Sequence, residues 1–158
     1  MQARPRQLIE MLDLKPHPEG GFYRELYRAP QTVQFAGTAR SALTTIYYLL
    51  MAGDRSQWHR VGSDEVWHFY EGDALELKIA SSDAVHLETY RLSTLTAESQ
   101  PVRVVPAGHW QMAHPLGDYA LVGCTVGPGF EFADFTLIRD LPASETAVRA
   151  RLIAHDAR

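Results

Sequence analysis

The chain has 158 residues, enough to bury about 70% of its unfolded surface without a metal or disulfide staple. Its formal net charge is −4, with fifteen Lys and Arg scattered along it, which excludes the basic footprint of a nucleic-acid binder. A single cysteine, Cys124, excludes an intramolecular disulfide and fits a reducing compartment. The N-terminus leads into no apolar signal region, and no run approaches the roughly 18 apolar residues of a membrane span. The expectation is one soluble, cytoplasmic domain over residues 1–158, with neither membrane nor nucleic acid as partner.

Leu8, Met11 and Leu12 recur at helical spacing, Pro5 suits a first turn, and Pro16 with Pro18 stops the helix. After the turn at Pro18-Glu19-Gly20-Gly21, a strand from Phe22 to Arg28 places Phe22, Arg24, Leu26 and Arg28 on one face. Tyr23, Glu25 and Tyr27 take the other. The run Ala42 to Leu50 is apolar on both faces, as in a sandwich. Val66–Tyr70 and Leu75–Ala80, around Glu71-Gly72-Asp73-Ala74, predict a hairpin. Further strands are predicted at His86–Leu92, Val102–Val105, Trp110–Ala113, Tyr119–Val126 and Phe135–Ile138. A final helix over Pro142–Ala154 has Ser144 as its candidate cap. Short strands at this spacing, punctuated by Gly, Pro and Asp, point to an all-β sandwich or barrel with short terminal helices.

Two stretches carry the chemistry. Gly53, His59, Val61, Glu65 and Gly72 have the spacing of a Gly-x5-His-x-His-x(3,4)-Glu-x6-Gly motif, with Val61 where a second histidine belongs. Pro106-Ala107-Gly108-His109-Trp110-Gln111 follows Pro-x-Gly-x2-His, with Gln111 in place of histidine. In such motifs two imidazoles, a carboxylate and a distant third imidazole make a mixed N/O set for a transition metal. Valine cannot coordinate, and a neutral amide is a weak ligand.

These motifs resemble those of the cupin superfamily. The phrases Pro18-Glu19-Gly20-Gly21-Phe22-Tyr23-Arg24-Glu25, Ser56-x-Trp58-His59-Arg60 and Ser63-Asp64-Glu65-Val66-Trp67-His68-Phe69-Tyr70-x-Gly72 are similar to its fifth family, a cupin-like domain of unknown function. So are Val105-Pro106-Ala107-Gly108-x-Trp110-Gln111 and the blocks running on to about residue 137. The resemblance implies a double-stranded β-helix, a jelly-roll barrel, assembled as a homodimer. It implies no reaction. His59, Glu65 and Gln111 are the positions it carries over as pocket-lining.

His59 and Glu65 are the candidate catalytic pair, a general base steered by a carboxylate. The candidate ligand-binding set adds Gln111, and Trp67 and Phe69, which share the face of Glu65. His68 completes it, although strand parity turns His68 away from Glu65. His109 is a secondary candidate on the face of Gln111. Tyr48, Tyr70 and Tyr119 are possible acids but read first as structural. Phe130, Phe132 and Phe135 and the thiol of Cys124 read first as core, and His17, His86 and His155 as surface residues. Phosphate-loop, dinucleotide and serine-hydrolase fingerprints are absent.

The expected function is a barrel that binds a small polar molecule, as a metal-independent enzyme of the epimerase or isomerase kind, with no metal or other cofactor. Two alternatives use the same residues. One is a non-catalytic small-ligand binder; the other is a degenerate metalloenzyme with one ion on His59, Glu65 and Gln111.

Overall fold

The computed structural model describes residues 3–157; the ends of the expected 1–158 span lie outside the described residues. Helix α1 (Ala3–Met11) opens the chain. It is followed by β1 (Lys15–Pro16), β2 (Phe22–Arg28), β3 (Thr32–Phe35), β4 (Thr38–Ser41), β5 (Thr44–Met51) and β6 (His59–Arg60). Next come β7 (Asp64–Gly72), β8 (Leu75–Ala80), β9 (Leu87–Leu92), β10 (Val102–Val105), β11 (Trp110–Pro115), β12 (Tyr119–Gly127) and β13 (Thr136–Leu137). Helix α2 (Thr146–Asp156) closes it. One sheet has the order β1-β2-β5-β12-β7-β10 and the other β13-β6-β11-β8-β9, with β3 and β4 forming a separate ribbon. The ladders between these strands are antiparallel.

The predicted hairpin at Gly72 is not one. β7 pairs with β10 and β12, whereas β8 pairs with β9 and β11. The turn is a corner that carries the chain from one sheet to the other, because both strands bury an apolar face and must oppose each other across the core. Tyr48, Leu50, Trp67 and Val122 from the first sheet meet Leu75, Leu77, Ile79 and Ala113 from the second.

Both outer faces are partly covered by helices. Leu8 of α1 packs with Leu14 on Leu49 and Leu121, so the apolar character of β5 on both faces has a physical cause. Leu152 of α2 packs with Trp58, Trp110 and Met112 over the second sheet. His155 is buried there, its Nε2 donating to the Ala84 carbonyl at 2.9 Å, which corrects its reading as a surface residue. Ser144 is no cap: it lies in a short 3-10 turn, Ala143–Glu145, and the helix start has no side-chain cap bond.

Two bulges set which side chains enter the barrel. In β2 the register against β5 slips between Glu25 and Tyr27, so Leu26 is the extra residue. Strict alternation would put Arg28 with Phe22. The bulge instead turns Arg28 onto the inner face with Tyr23 and Glu25. In β7, Phe69 and Glu71 oppose the neighbours Val122 and Leu121, so Tyr70 is the extra residue.

Leu152→Ala is expected to lower unfolding free energy by about 2–5 kcal/mol, since it opens a cavity under a fully buried helix residue. Urea denaturation measures this, and a loss below about 1 kcal/mol would mean that α2 is not docked as described.

Candidate functional site

The site lies between the sheets, opening beside the segment 130–135. Its first wall is the turn before β2. Gly20 has φ of +110°, and a Cβ there would lie 2.5 Å from the Arg55 carbonyl oxygen; a Cβ on Gly21 would lie 2.6 Å from the Leu49 carbonyl oxygen. Only glycine permits this close passage. The Tyr48 hydroxyl donates to the Gly20 carbonyl at 2.7 Å and pins the turn. The result is that Glu19 is buried and lines the cavity.

β6 brings His59 to meet it. His59 Nδ1 lies 2.9 Å from Glu19 Oε2 and donates to the Gln57 carbonyl at 2.7 Å. A carbonyl only accepts, so Nδ1 carries the proton, and Nε2 is the nitrogen left for the cavity. The Gln57 backbone N–H in turn donates to the Glu19 carbonyl at 2.9 Å. His17 stands on the other side of Glu19. Its Nδ1 accepts the Glu19 backbone N–H at 3.1 Å, so its proton is on Nε2 and it makes no ion pair, although Glu19 Oε1 is 3.7 Å away.

Glu65 on β7 is the second cavity carboxyl, 8% exposed. A relay holds it from behind. The Trp67 indole N–H donates to Gln111 Oε1 at 2.8 Å, and Gln111 Nε2 donates to Glu65 Oε2 at 2.6 Å. An indole only donates, so the amide has a single orientation: oxygen to Trp67, nitrogen to Glu65. The Cys124 thiol is a further hydrogen-bonding neighbour of Glu65.

The charges follow from these contacts. Burial opposes charging of His59, but Glu19 beside it, then Glu65 and the Gln57 carbonyl, hold its pKa up at about 9. Burial alone would raise Glu19, yet the charged His59 beside it keeps it below the ordinary carboxylate value. Burial raises Glu65, the nearby Glu19 adds to this, and His59 and Gln111 only partly offset them. Burial depresses His17. At neutral pH the site therefore holds an imidazolium–carboxylate pair and a second carboxyl of raised proton affinity. Burial, with Glu65 and Glu19 adding, pushes the Cys124 thiol well above its ordinary value. It is a core residue that shows the cavity a neutral thiol.

Of the residues expected from the sequence, His59 and Glu65 line the cavity. The carboxylate that pairs with His59 is Glu19, at 2.9 Å, however, and not the expected Glu65. Gln111 is wholly buried behind Glu65, and Trp67 and Phe69 belong to the core. His68 pairs opposite Gly123 and Val102 on the outer face, as parity required. His109 sits in the turn before β11, its Nδ1 3.5 Å from the Ala107 carbonyl, and does not reach the cavity. Tyr48 is spent on Gly20, Tyr119 donates to Glu71 at 3.0 Å, and Tyr70 is largely exposed.

Sequence reasoning missed His17, Glu19, Tyr23 and Arg28, all of which line the cavity. It also read Phe130, Phe132 and Phe135 as core, whereas they form a wall of the cavity, with ring centroids 4.9–5.8 Å apart. The Glu-Gly-Gly turn was a usable signal for Glu19, because paired glycines mark a close backbone approach.

The four positions where metal-binding motifs place ligands do not make a metal set here. His59 and Glu65 are donors, Val61 is a buried apolar wall, and the Gln111 oxygen is occupied by the indole N–H. Among the described residues no group of three or more His, Cys, Asp or Glu is placed to hold a metal ion.

Two antiparallel sheets facing each other around a polar cavity, with short terminal helices, define a cupin barrel. The chain belongs to the family described as Cupin superfamily (DUF985), whose model matches residues 6–138. It is similar to a crystal structure of a protein from Shewanella oneidensis, at 36% identity and TM-score 0.82, covering 99% of this chain and 94% of that one. It is also similar to a hypothetical protein from Leishmania major, at 28% identity and TM-score 0.79, covering 92% and 96%. An oxalate decarboxylase mutant from Bacillus subtilis, 14% identical with TM-score 0.57 over 78% of this chain and 29% of that one, shows the fold alone. No curated protein matches the chain. No helix of the described residues is long and apolar enough to cross a membrane.

Trp67→Phe strands the buried Gln111 oxygen and is expected to cost about 1–3 kcal/mol beyond its packing loss, read by urea denaturation. The pair should also show in the pH dependence of stability. His59 has a folded pKa of about 9 against an ordinary 6.5. Its contribution is complete below the unfolded value and is lost as pH rises through the folded one. The melting temperature should therefore fall as pH rises from 6.5 to 9, and this fall should shrink in His59→Gln. Equal slopes in the two proteins would show that Glu19 does not hold the imidazolium.

Proposed function

We propose that the barrel binds a small polar carbonyl compound, carbohydrate-like in its hydroxyl groups, and moves a proton on it without metal, as an epimerase or isomerase does. The observation that supports this is the buried His59–Glu19 pair, with Nε2 left for the cavity and the Glu65 carboxyl also lining it. Ionised Glu65 takes the proton from the carbon beside the carbonyl. The C–H electron pair moves into the new C=C bond, and the carbonyl π pair goes to oxygen. His59 Nε2–H stabilises that enolate by hydrogen bonding or by giving up its proton. Return of the proton to the other face, or to the neighbouring carbon, gives the epimer or the isomer, and no oxidant or reductant is consumed. Glu19 is a positioning residue that keeps His59 charged and oriented. Gln111, itself held by Trp67, orients Glu65 by hydrogen bonding alone.

The enclosed space open to the centre of a water molecule is about 80 Å³, room for roughly half a dozen waters. That admits a compact molecule or one end of a larger one. A binder without turnover would use the same cavity, and the Phe130–Phe132–Phe135 wall favours that second reading, since aromatic faces hold a ligand without activating it. We place the protein in the cytoplasm, as a homodimer.

Solvent deuterium exchange into a panel of small hydroxy-carbonyl compounds tests the proposal. His59→Gln and Glu65→Gln should each slow exchange by about 10²–10⁴-fold while the protein still melts cooperatively. The rate should fall above about pH 9 as His59 loses its proton. In Glu19→Gln that alkaline limb should move to lower pH, because the carboxylate that raises the pKa is gone. No exchange on any compound by folded protein sinks the enzyme reading and leaves the binder, which would show as thermal stabilisation without turnover. One equivalent of a transition metal in untagged protein, lost in His59→Ala, would overturn the metal-independent reading.

A further inference from the structure

The charges of the cavity say what kind of molecule it accepts. Four glutamates line it, Glu19, Glu25, Glu65 and Glu131, against one arginine and two histidines. His17 is neutral, because its Nδ1 accepts a backbone N–H. Even with His59 charged, carboxylates outnumber cations.

Arg28 is the group that would ordinarily bind an anion, and it is already spent. Its Nε donates to Glu25 Oε1 at 2.8 Å and its Nη2 to Glu25 Oε2 at 3.3 Å. Its Nη1 donates to Glu131 at 3.1 Å, and Nη2 also reaches the Phe130 carbonyl at 3.1 Å. An entering carboxylate or phosphate would have to displace a carboxylate already in place. A nucleotide-linked sugar is poorly suited to such a mouth.

Two further features favour a cation. The rings of Phe130, Phe132 and Phe135 meet at 69–84°, so where one presents its edge another presents its electron-rich face, and such faces attract ammonium groups. Glu65 is more than nine-tenths buried and lines the cavity, and its hydrogen-bonding neighbours among the described residues are the neutral Gln111 amide and the neutral Cys124 thiol. Neither neighbour carries a positive charge, so the charge of Glu65 adds to the field that draws a cation into the cavity.

We infer that the cavity selects a compact organic ammonium, held against the phenylalanine wall in the field of the surrounding carboxylates, and turns anions away. The inference rests on the cavity being a small-molecule site. It narrows the substrate of the proposed reaction to a carbonyl compound that also carries an amine. A bound ammonium would also weaken the hold of His59 on its proton through like-charge repulsion, readying the ring for proton transfer.

Isothermal titration of the full chain tests this with four probes: ethanolamine, choline, the neutral choline isostere 3,3-dimethylbutan-1-ol, and the anion glycolate. At least one of the two cations should bind about tenfold more tightly than the isostere, and glycolate should not saturate. Glu65→Gln should weaken the cation about tenfold and Phe135→Leu about threefold. Should Glu65→Gln fail to fold, Glu131→Gln at the mouth should still weaken it about threefold. Equal binding of the isostere, tighter binding of glycolate, or no saturation by either cation up to about 10 mM overturns the inference. The two proposals fail separately. Deuterium exchange on neutral carbonyl compounds without cation binding leaves proton transfer and removes the ammonium site. Cation binding without exchange on any carbonyl compound does the reverse.

Discussion

Glu19 and His59 are 40 residues apart in the chain, yet their side chains meet at 2.9 Å inside the barrel. Removing a carboxylate and an imidazolium from water is costly, and the pair is tolerable only with close geometry and further hydrogen bonds. The surrounding backbone supplies both. The Gly20-Gly21 turn passes against the Leu49 and Arg55 carbonyls where no side chain would fit, and Tyr48 ties it down. Gln57 binds the Glu19 backbone with its N–H and the His59 ring with its carbonyl. The positions of β2, β5 and β6 around the cavity are therefore coupled to one ion pair, and moving any of them would leave a buried charge unpartnered.

Glu65 is held in a different way. Nothing positively charged touches it; it is fixed by a neutral amide, itself fixed by an indole. Hydrogen bonds from neutral donors orient a carboxyl without strongly favouring its ionised form, so burial keeps its proton affinity high. Two acidic side chains in one cavity are thus driven apart in protonation state, Glu19 ionised beside His59 and Glu65 poised to exchange a proton. Separation of this kind is what acid–base chemistry near neutral pH requires. It also explains Gln111 at a position where the superfamily's metal motif has histidine. The residue has become part of the support of Glu65.

Much of the fold was legible from residue patterns. Alternation and turn residues located most of the strands, and β5 showed its double burial in its composition. The errors came where neighbours decide. The Glu71–Ala74 turn has hairpin chemistry, but the apolar faces of β7 and β8 have to oppose each other, so the turn joins two sheets. Parity assigned Arg28 to the wrong face because a single extra residue, Leu26, inverts everything after it. Parity did place His68 outside, since no bulge separates it from Glu65.

For the site, the spacing of His59, Glu65 and Gly72 and the second motif ending at Gln111 were enough to give the superfamily and two cavity residues, because those spacings lie on single strands or tight turns. The sequence by itself determined that His59 and Glu65 turn inward and that Val61 and Gln111 stand at two positions where the motif has histidine. The tertiary structure alone decided that the partner of His59 is Glu19, that Gln111 serves Glu65 from behind, and that the three phenylalanines wall a cavity instead of filling a core. The physical reason is the same in each case. These contacts join segments far apart in sequence, and a local pattern records which face a residue occupies but not what stands across from it.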